Sequence, residues 1–355
     1  LISIERLAFS ILRDAVRNHV TDIHIVPRKK DTVIQFRYAN HLVPRLHLPL
    51  EECDRLISHF KFTASMDIGE KRKPQSGSHS YEIAGQSIGL RFSTLPSRYS
   101  ESLVIRILPQ AAHIPFYQIS LFPHMTLKML ALLKHAHGLI IFTGPTGSGK
   151  TTMLYSLLNE TSHIYKRSVI TLEDPIEKEM DTVLQVQVNE KAGVTYSSGL
   201  KAILRHDPDI IMVGEIRDGE TAKIAVRAAL TGHLVLTTMH TRDANGAIYR
   251  LAEFGVDWLE IEQTLVAVTA QRLVELTCPF CGPYCSIYCY SYGRWKRASV
   301  FEFLSGKKLK AAMQTAQGRG IDVKDQTLKD VITKGIALGY IKESEYERWI
   351  LDDKD

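Results

Sequence analysis

The sequence predicts an α/β protein in two parts, a smaller α+β domain followed by a core built on a parallel sheet. Two observations predict the core. An apolar run, GLIIF, leads through Thr143 into GPTGSGKTT at residues 144–152. Beyond it, continuous apolar runs alternate with segments of helical spacing, the pattern of a parallel sheet covered on both faces. A third observation predicts the first domain: DIHIV and TVIQFRY alternate apolar with polar residues, as half-buried strands do.

Taken in order, residues 3–20 carry apolar positions at helical spacing behind Ser3, a candidate N-cap. DIHIV and TVIQFRY follow as strands, then LEECDRLISHFKF as a helix. HSYEIAGQSIGLRFSTLP and ESLVIRIL are further strands, with turns at Gly85 and Pro96. This first domain covers residues 1–110. A Pro-containing stretch with weak periodicity makes 111–123 a linker, and a helix at about 124–136 opens the second domain, 124–355. There LIIFTG, RSVITLED, DIIMVGE and HLVLTTMH read as strands, with helices from Lys150, from about Ser197 and from Gly219. A cysteine cluster lies at 278–289, and residues 292–355 read as charged and helical.

Composition bounds the function. At 355 residues, 45% hydrophobic and 23% charged, the chain has material for two cores. No apolar run approaches the ~20 residues of a membrane-spanning helix. The start, LISIERLAFS, lacks the pattern of a secretory signal and also an initiator Met. The net charge of +5 lies wholly in the first third: residues 1–115 hold 16 basic and 11 acidic side chains, the remainder 28 of each. That asymmetry suits either a domain with an anionic partner or a solvated basic face.

The segment 144–152 matches G-x-x-x-x-G-K-[ST]. Gly144, Gly147 and Gly149 let backbone amides turn inward around phosphate oxygens, and the helix from Lys150 aims its positive end at them. Pro145, Thr146, Ser148 and Thr152 complete the loop; Lys150 can reach the β and γ phosphates and the Thr151 hydroxyl can ligate Mg²⁺. Hydrolysis needs further carboxylates, and two strand ends offer them, Glu173 with Asp174 and, past DIIMVG, Glu215. Phosphate-loop enzymes usually hold Mg²⁺ through an Asp on the second of these strands. Gly214 precedes Glu215 here, so the Glu takes or shares that role. His240 ends a third strand and either bonds the γ phosphate or serves structure.

With these motifs in hand, the chain resembles the secretion or traffic ATPases of type II secretion, type IV pili and DNA-uptake pseudopili. The resemblance rests on TDIHIVP (21–27), KPQSGS, RFSTLPSRYSESLVIRIL (91–108), GPTGSGKTT, ITLEDPIE, LRHDPDIIMVGEIRD, TGHLVLTTMHT and TAQRLVEL before CPFC, in that order. It implies a RecA-like core behind a PAS-like α+β domain, hydrolysing ATP with Mg²⁺. It implies that Glu173 positions or deprotonates water and Glu215 holds Mg²⁺, roles that could be exchanged. It implies that His240 couples phosphate to motion and that Arg91 and Arg106, from the first domain, approach the phosphates. The partners it implies are five more copies in a homohexameric ring, a polytopic platform protein of the plasma membrane and, indirectly, pilin-like subunits. The location it implies is cytoplasmic, peripheral at the inner face of the membrane. The chain reads as a compact form without the extra N-terminal domain of many type II secretion and pilus enzymes, as in the Gram-positive competence pseudopilus branch. Extension or secretion service is the alternative within the family.

Cys278, Cys281, Cys285 and Cys289 are spaced C-x2-C-x3-C-x3-C. Four thiolates can close a tetrahedral Zn²⁺ site, yet twelve residues are tight for one ion. Family members often carry two CxxC pairs farther apart, so zinc and free thiols both stay open. A motor acting directly on DNA is the alternative of another class. The basic first third favours it, and the want of aromatic side chains interleaved with that charge speaks against direct nucleic-acid binding. A small-molecule kinase would need an acceptor pocket and lid arginines that no motif supplies.

Overall fold

The computed structural model describes residues 3–18, 20–38, 41–83, 86–109, 116–282, 289, 297–319 and 326–350. They fall into two compact units, Leu1–Ala112 and His113–Asp355.

The first unit opens with α1 (Ile4–Arg17), capped by the Ser3 hydroxyl, which accepts from the Arg6 amide. Strands β1 (Asp22–Pro27), β2 (Thr32–Tyr38) and β3 (His41–Leu48) follow, then α2 (Leu50–Thr63), β4 (Gln75–Ile83), β5 (Gln86–Pro96) and β6 (Glu101–Pro109). The sheet order is β3-β2-β1-β6-β5-β4, with each pair antiparallel. Strand alternation sorts its two faces. Ile23, Ile25, Phe92, Leu103 and Ile105 are buried in one core with Ala8, Ile11 and Leu12 of α1 and Leu56 and Phe60 of α2. The residues between them point the other way: Arg91 and Arg106 are exposed and lie opposite each other across β5 and β6. Within this unit Lys61 and Glu101, 1% and 3% exposed, form a buried ion pair at 2.9 Å, and Lys61 also donates to the Glu70 carbonyl.

The second unit begins earlier than the predicted linker end. Phe116 and Ile119 are buried against the core, and Ser120 bridges Ser299. Its elements are α3 (Pro123–Leu132), β7 (Gly138–Thr143), α4 (Lys150–Ile164), β8 (Val169–Glu173), β9 (Leu184–Gln187), α5 (Tyr196–Ile203), β10 (Ile210–Val213), α6 (Gly219–Leu230), β11 (Leu234–Met239), α7 (Ala244–Glu253), α8 (Trp258–Thr264), β12 (Leu265–Glu275), β13 (Arg297–Ser305), α9 (Gly306–Ala316), α10 (Leu328–Ala337) and α11 (Ser344–Ile350). The seven strands run β13-β12-β7-β11-β10-β8-β9, all parallel except β13 at one edge. Every residue of β7 is buried. Leu139 and Ile141 join the core on one face, Ile140 and Phe142 the core on the other. That two-sided burial is why the strand reads as an unbroken apolar run rather than an alternating one.

Two strands depart from the expected pattern. Residues 297–305, inside the stretch read as helical, form β13; Val300, Phe301 and Leu304 are buried, but flanking lysines and arginines mask so short an apolar run. LQVQ at 184–187 is β9, a polar edge strand with little apolar signal. Among the described residues, no helix is long and apolar enough to cross a membrane.

Candidate functional site

Parallel strands end on one side of a sheet, so the order β7-β11-β10-β8 brings four chain segments to one edge. These are the phosphate loop after β7, His240 after β11, Glu215 after β10 and Glu173 at the end of β8.

The loop is shaped for an anion. Gly144 has φ +146°, and a Cβ there would lie 2.5 Å from the Gln271 carbonyl oxygen; Gly149, φ +87°, would press on the Gln271 amide at 2.9 Å. Only glycine fits at either place. No side chain caps α4 and its first turn holds no acid, so its leading amides and positive dipole end are left for a bound group. The Ser148 hydroxyl is buried with no hydrogen-bond partner among the described residues, as a loop built around a ligand would leave it. Lys150 is 7% exposed and donates to the carbonyls of Gly144 (2.7 Å) and Pro145 (3.1 Å). Burial holds its pKa down to about 8, against an upward pull from Glu215 and Glu177 and a further downward push from Arg272. These features fit a nucleotide polyphosphate with its Mg²⁺. The loop amides and Lys150 would hold phosphate oxygens, and Thr151 with Glu215 would hold the ion, which supplies charge neutralisation there.

The strand under the loop is wired to the histidine segment. The Thr143 hydroxyl bonds the Met239 carbonyl (3.2 Å) and the Thr241 hydroxyl (2.7 Å), and receives the Thr241 amide (2.8 Å). His240 Nε2 lies 3.6 Å from Glu215, and burial pushes its pKa below the ordinary histidine value, with Lys150 adding to the effect. Arg217 contacts the Glu215 carboxylate directly and Asp174 at 4.0 Å. Arg217 was not singled out by sequence reasoning; its place in GEIRD, two residues past Glu215, is the signal that could have found it.

Glu173 stands differently from its expected role. Its side chain is 3% exposed and its oxygens accept from the hydroxyl of Tyr155, from the Thr171 hydroxyl (2.6 Å) and from Gln185 Nε2 (3.2 Å). Glu177, four residues on and absent from the sequence-based candidates, is exposed and close enough to Lys150 to raise its pKa.

Arg91 and Arg106 belong to the first unit. There Arg106 Nε donates to Asp22 at 2.9 Å, and Arg37 sits 3.8 Å from the same carboxylate. Of the cysteine cluster, Cys278, Cys281 and Cys289 carry sulfurs within 4.8 Å of one another. Cys285 lies outside the described residues.

The chain matches the family described as T2SSE, Type II/IV secretion system protein, over residues 1–348. It is 55% identical over 354 residues to "Competence protein ComGA" of Bacillus subtilis, covering 99% of both chains. It is 43% identical to the protein of the same name from Halalkalibacterium halodurans, covering 97% of this chain and 98% of that one. The solved ATPase DotB of Legionella pneumophila shares the fold, with a TM-score of 0.72 and 22% identity over 96% of this chain and 94% of its own. A match that runs from the first strands through the phosphate loop to the final helices covers both units and not the nucleotide motifs alone, so the chain belongs to the Type II/IV secretion system protein family, as an ATP hydrolase.

Proposed function

We propose that this chain is the cytoplasmic ATPase that drives assembly of a type IV pilus-like competence pseudopilus for DNA uptake. The observation that carries the reading is the 55% identity to "Competence protein ComGA" across 99% of both chains. Service to a type II secretion system or an extending pilus is the second reading, favoured by the family description itself. The working form is a ring of six beneath a membrane-embedded platform protein, with pilin-like subunits moved indirectly.

In this reading residues 144–152 hold the phosphates of ATP and Lys150 neutralises them. Thr151 and Glu215 carry Mg²⁺. His240, joined to the loop through Thr143 and Thr241, reports the state of the phosphates. The burial of Glu173 among three donors supports a holding part for it, because three of the carboxylate's four lone-pair sites are taken and the side chain is shut away from solvent. Glu177, exposed and in the field of Lys150, suits the water-orienting part. Arg91 and Arg106 are the candidates for stabilising the spreading charge of phosphoryl transfer. The three clustered thiols hold Zn²⁺ as a structural clip. Metal analysis of chelator-free protein, against a four-cysteine variant, checks this; equal zinc in both removes the site.

The decisive test is complementation. A competence-ATPase-deficient bacterium given this chain should regain DNA uptake, and given Lys150→Ala should not. Full uptake with the variant would end the motor reading.

A further inference from the structure

α4 carries more than the loop lysine. Tyr155 lies one helical turn beyond Thr151, so the two share a face of the helix. Its ring is 7% exposed, and its hydroxyl stands at a junction of three chain segments. It donates to Glu173 Oε2 at the end of β8 and accepts the backbone amides of Glu177 and Lys178, each at 3.2 Å. Gln185 on β9 holds the same turn from the far side. Its Nε2 donates to the Lys178 carbonyl (2.9 Å) as well as to Glu173, and its Oε1 accepts the Met180 amide (2.8 Å). Glu173 is thus the centre of a cage whose outer wall is the backbone bearing Glu177. A hydroxyl has one proton and two lone pairs, and here all three are used.

We propose that Tyr155 is a positioning residue for hydrolysis: it ties the helix that grips the phosphates to the backbone of Glu177, and so fixes the distance between that carboxylate and the phosphate loop. The proposal rests on the reading of Glu177 as the water-orienting acid. The physical reason is geometric. The phosphates are registered on the start of α4, so whatever orients water must be registered on the same helix, and displacement of about 1 Å costs on the order of 10²-fold in rate. The phenol stays protonated, since burial first and the Glu173 charge second push its pKa upward. It therefore donates to the carboxylate at any working pH.

The test uses the full chain with Tyr155→Phe, which keeps the ring and removes the hydroxyl. ATP turnover and ADP affinity are measured side by side, with Glu177→Gln and Glu173→Gln in parallel. The expected result is a kcat lowered about 10- to 10²-fold with KM and ADP affinity within about twofold of the parent. An unchanged kcat overturns the proposal. So does a parallel loss of kcat and ADP affinity, which would mean a loosened helix. Should Tyr155→Phe not fold, Gln185→Leu releases the same turn without touching α4 and is read in the same way. Glu177→Gln separates the two levels. If it is inactive while Tyr155→Phe is normal, only the positioning role fails; if it turns over normally, the reading of Glu177 fails first.

Discussion

Proton linkage at Lys150 offers a quantitative check on the nucleotide site. In the loop the ammonium is buried and, among the described residues, donates to two carbonyls, with its pKa held down to about 8. Polyphosphate supplies the charge that burial denies it, so the pKa of the bound state returns to the usual lysine range or above. Binding must then take up the missing proton. With a pKa of about 8, about half of the empty sites lack it at pH 8 and about nine-tenths at pH 9. Affinity for nucleotide should fall with pH, approaching tenfold per unit, or about 1.4 kcal/mol, well above pH 8. The assay is calorimetric titration with MgADP at pH 8 and 9, in pairs of buffers of different protonation enthalpy. ADP itself is fully ionised at pH 9, so the uptake there belongs to the protein. Uptake of about 0.5 and 0.9 proton is expected, and Lys150→Arg, whose guanidinium stays charged, should show none. No uptake at pH 9 would refute the buried, depressed lysine. The sign for folding is the reverse of a paired lysine. The unfolded state binds more protons between about 8 and 10.5, so burial of the ammonium costs about 3 kcal/mol below pH 8, and that cost is relieved as pH rises through this window.

Three other perturbations reach the metal site, the ion pair of the first unit and the link to His240. Glu215→Gln should still bind ATP but hydrolyse it at least ~10²-fold more slowly; unchanged single-turnover rates would remove Glu215 from the metal site. Glu101→Ala strands the Lys61 ammonium and should cost about 3–5 kcal/mol, while Lys61→Met with Glu101→Leu costs much less. Urea denaturation decides, and equal losses in both would mean that the pair is not the source. Thr143→Val cuts the ties to Met239 and Thr241 and should lose about 1–2 kcal/mol and slow ATP turnover more than it weakens nucleotide binding; unaltered turnover would disconnect His240 from the loop.

Several features were legible because their cause is local. A loop that must run through φ +146° and +87° needs glycine at those positions, and strands buried on both faces need unbroken apolar runs. Ser3 could be read as a cap for the same reason, since the amide it accepts is three residues away. Even the shared edge followed from sequence, because parallel strands in one sheet must end together.

Contacts whose partners are remote in the chain came from the assembled core. Glu173 looked like an acid facing the nucleotide until β9 came to lie beside β8, bringing Gln185 to it while α4 brought Tyr155. Lys61 and Glu101 are ordinary surface residues by composition and a buried ion pair by packing. β13 needed β12 as its neighbour before a short run among charges could become a strand. Phosphate-binding chemistry and the alternation of strand and helix are written locally in the residues, because backbone sterics and burial periodicity act between near neighbours. Which carboxylate is caged and which stands exposed depends on strand order, and strand order is set by the packing of the whole core.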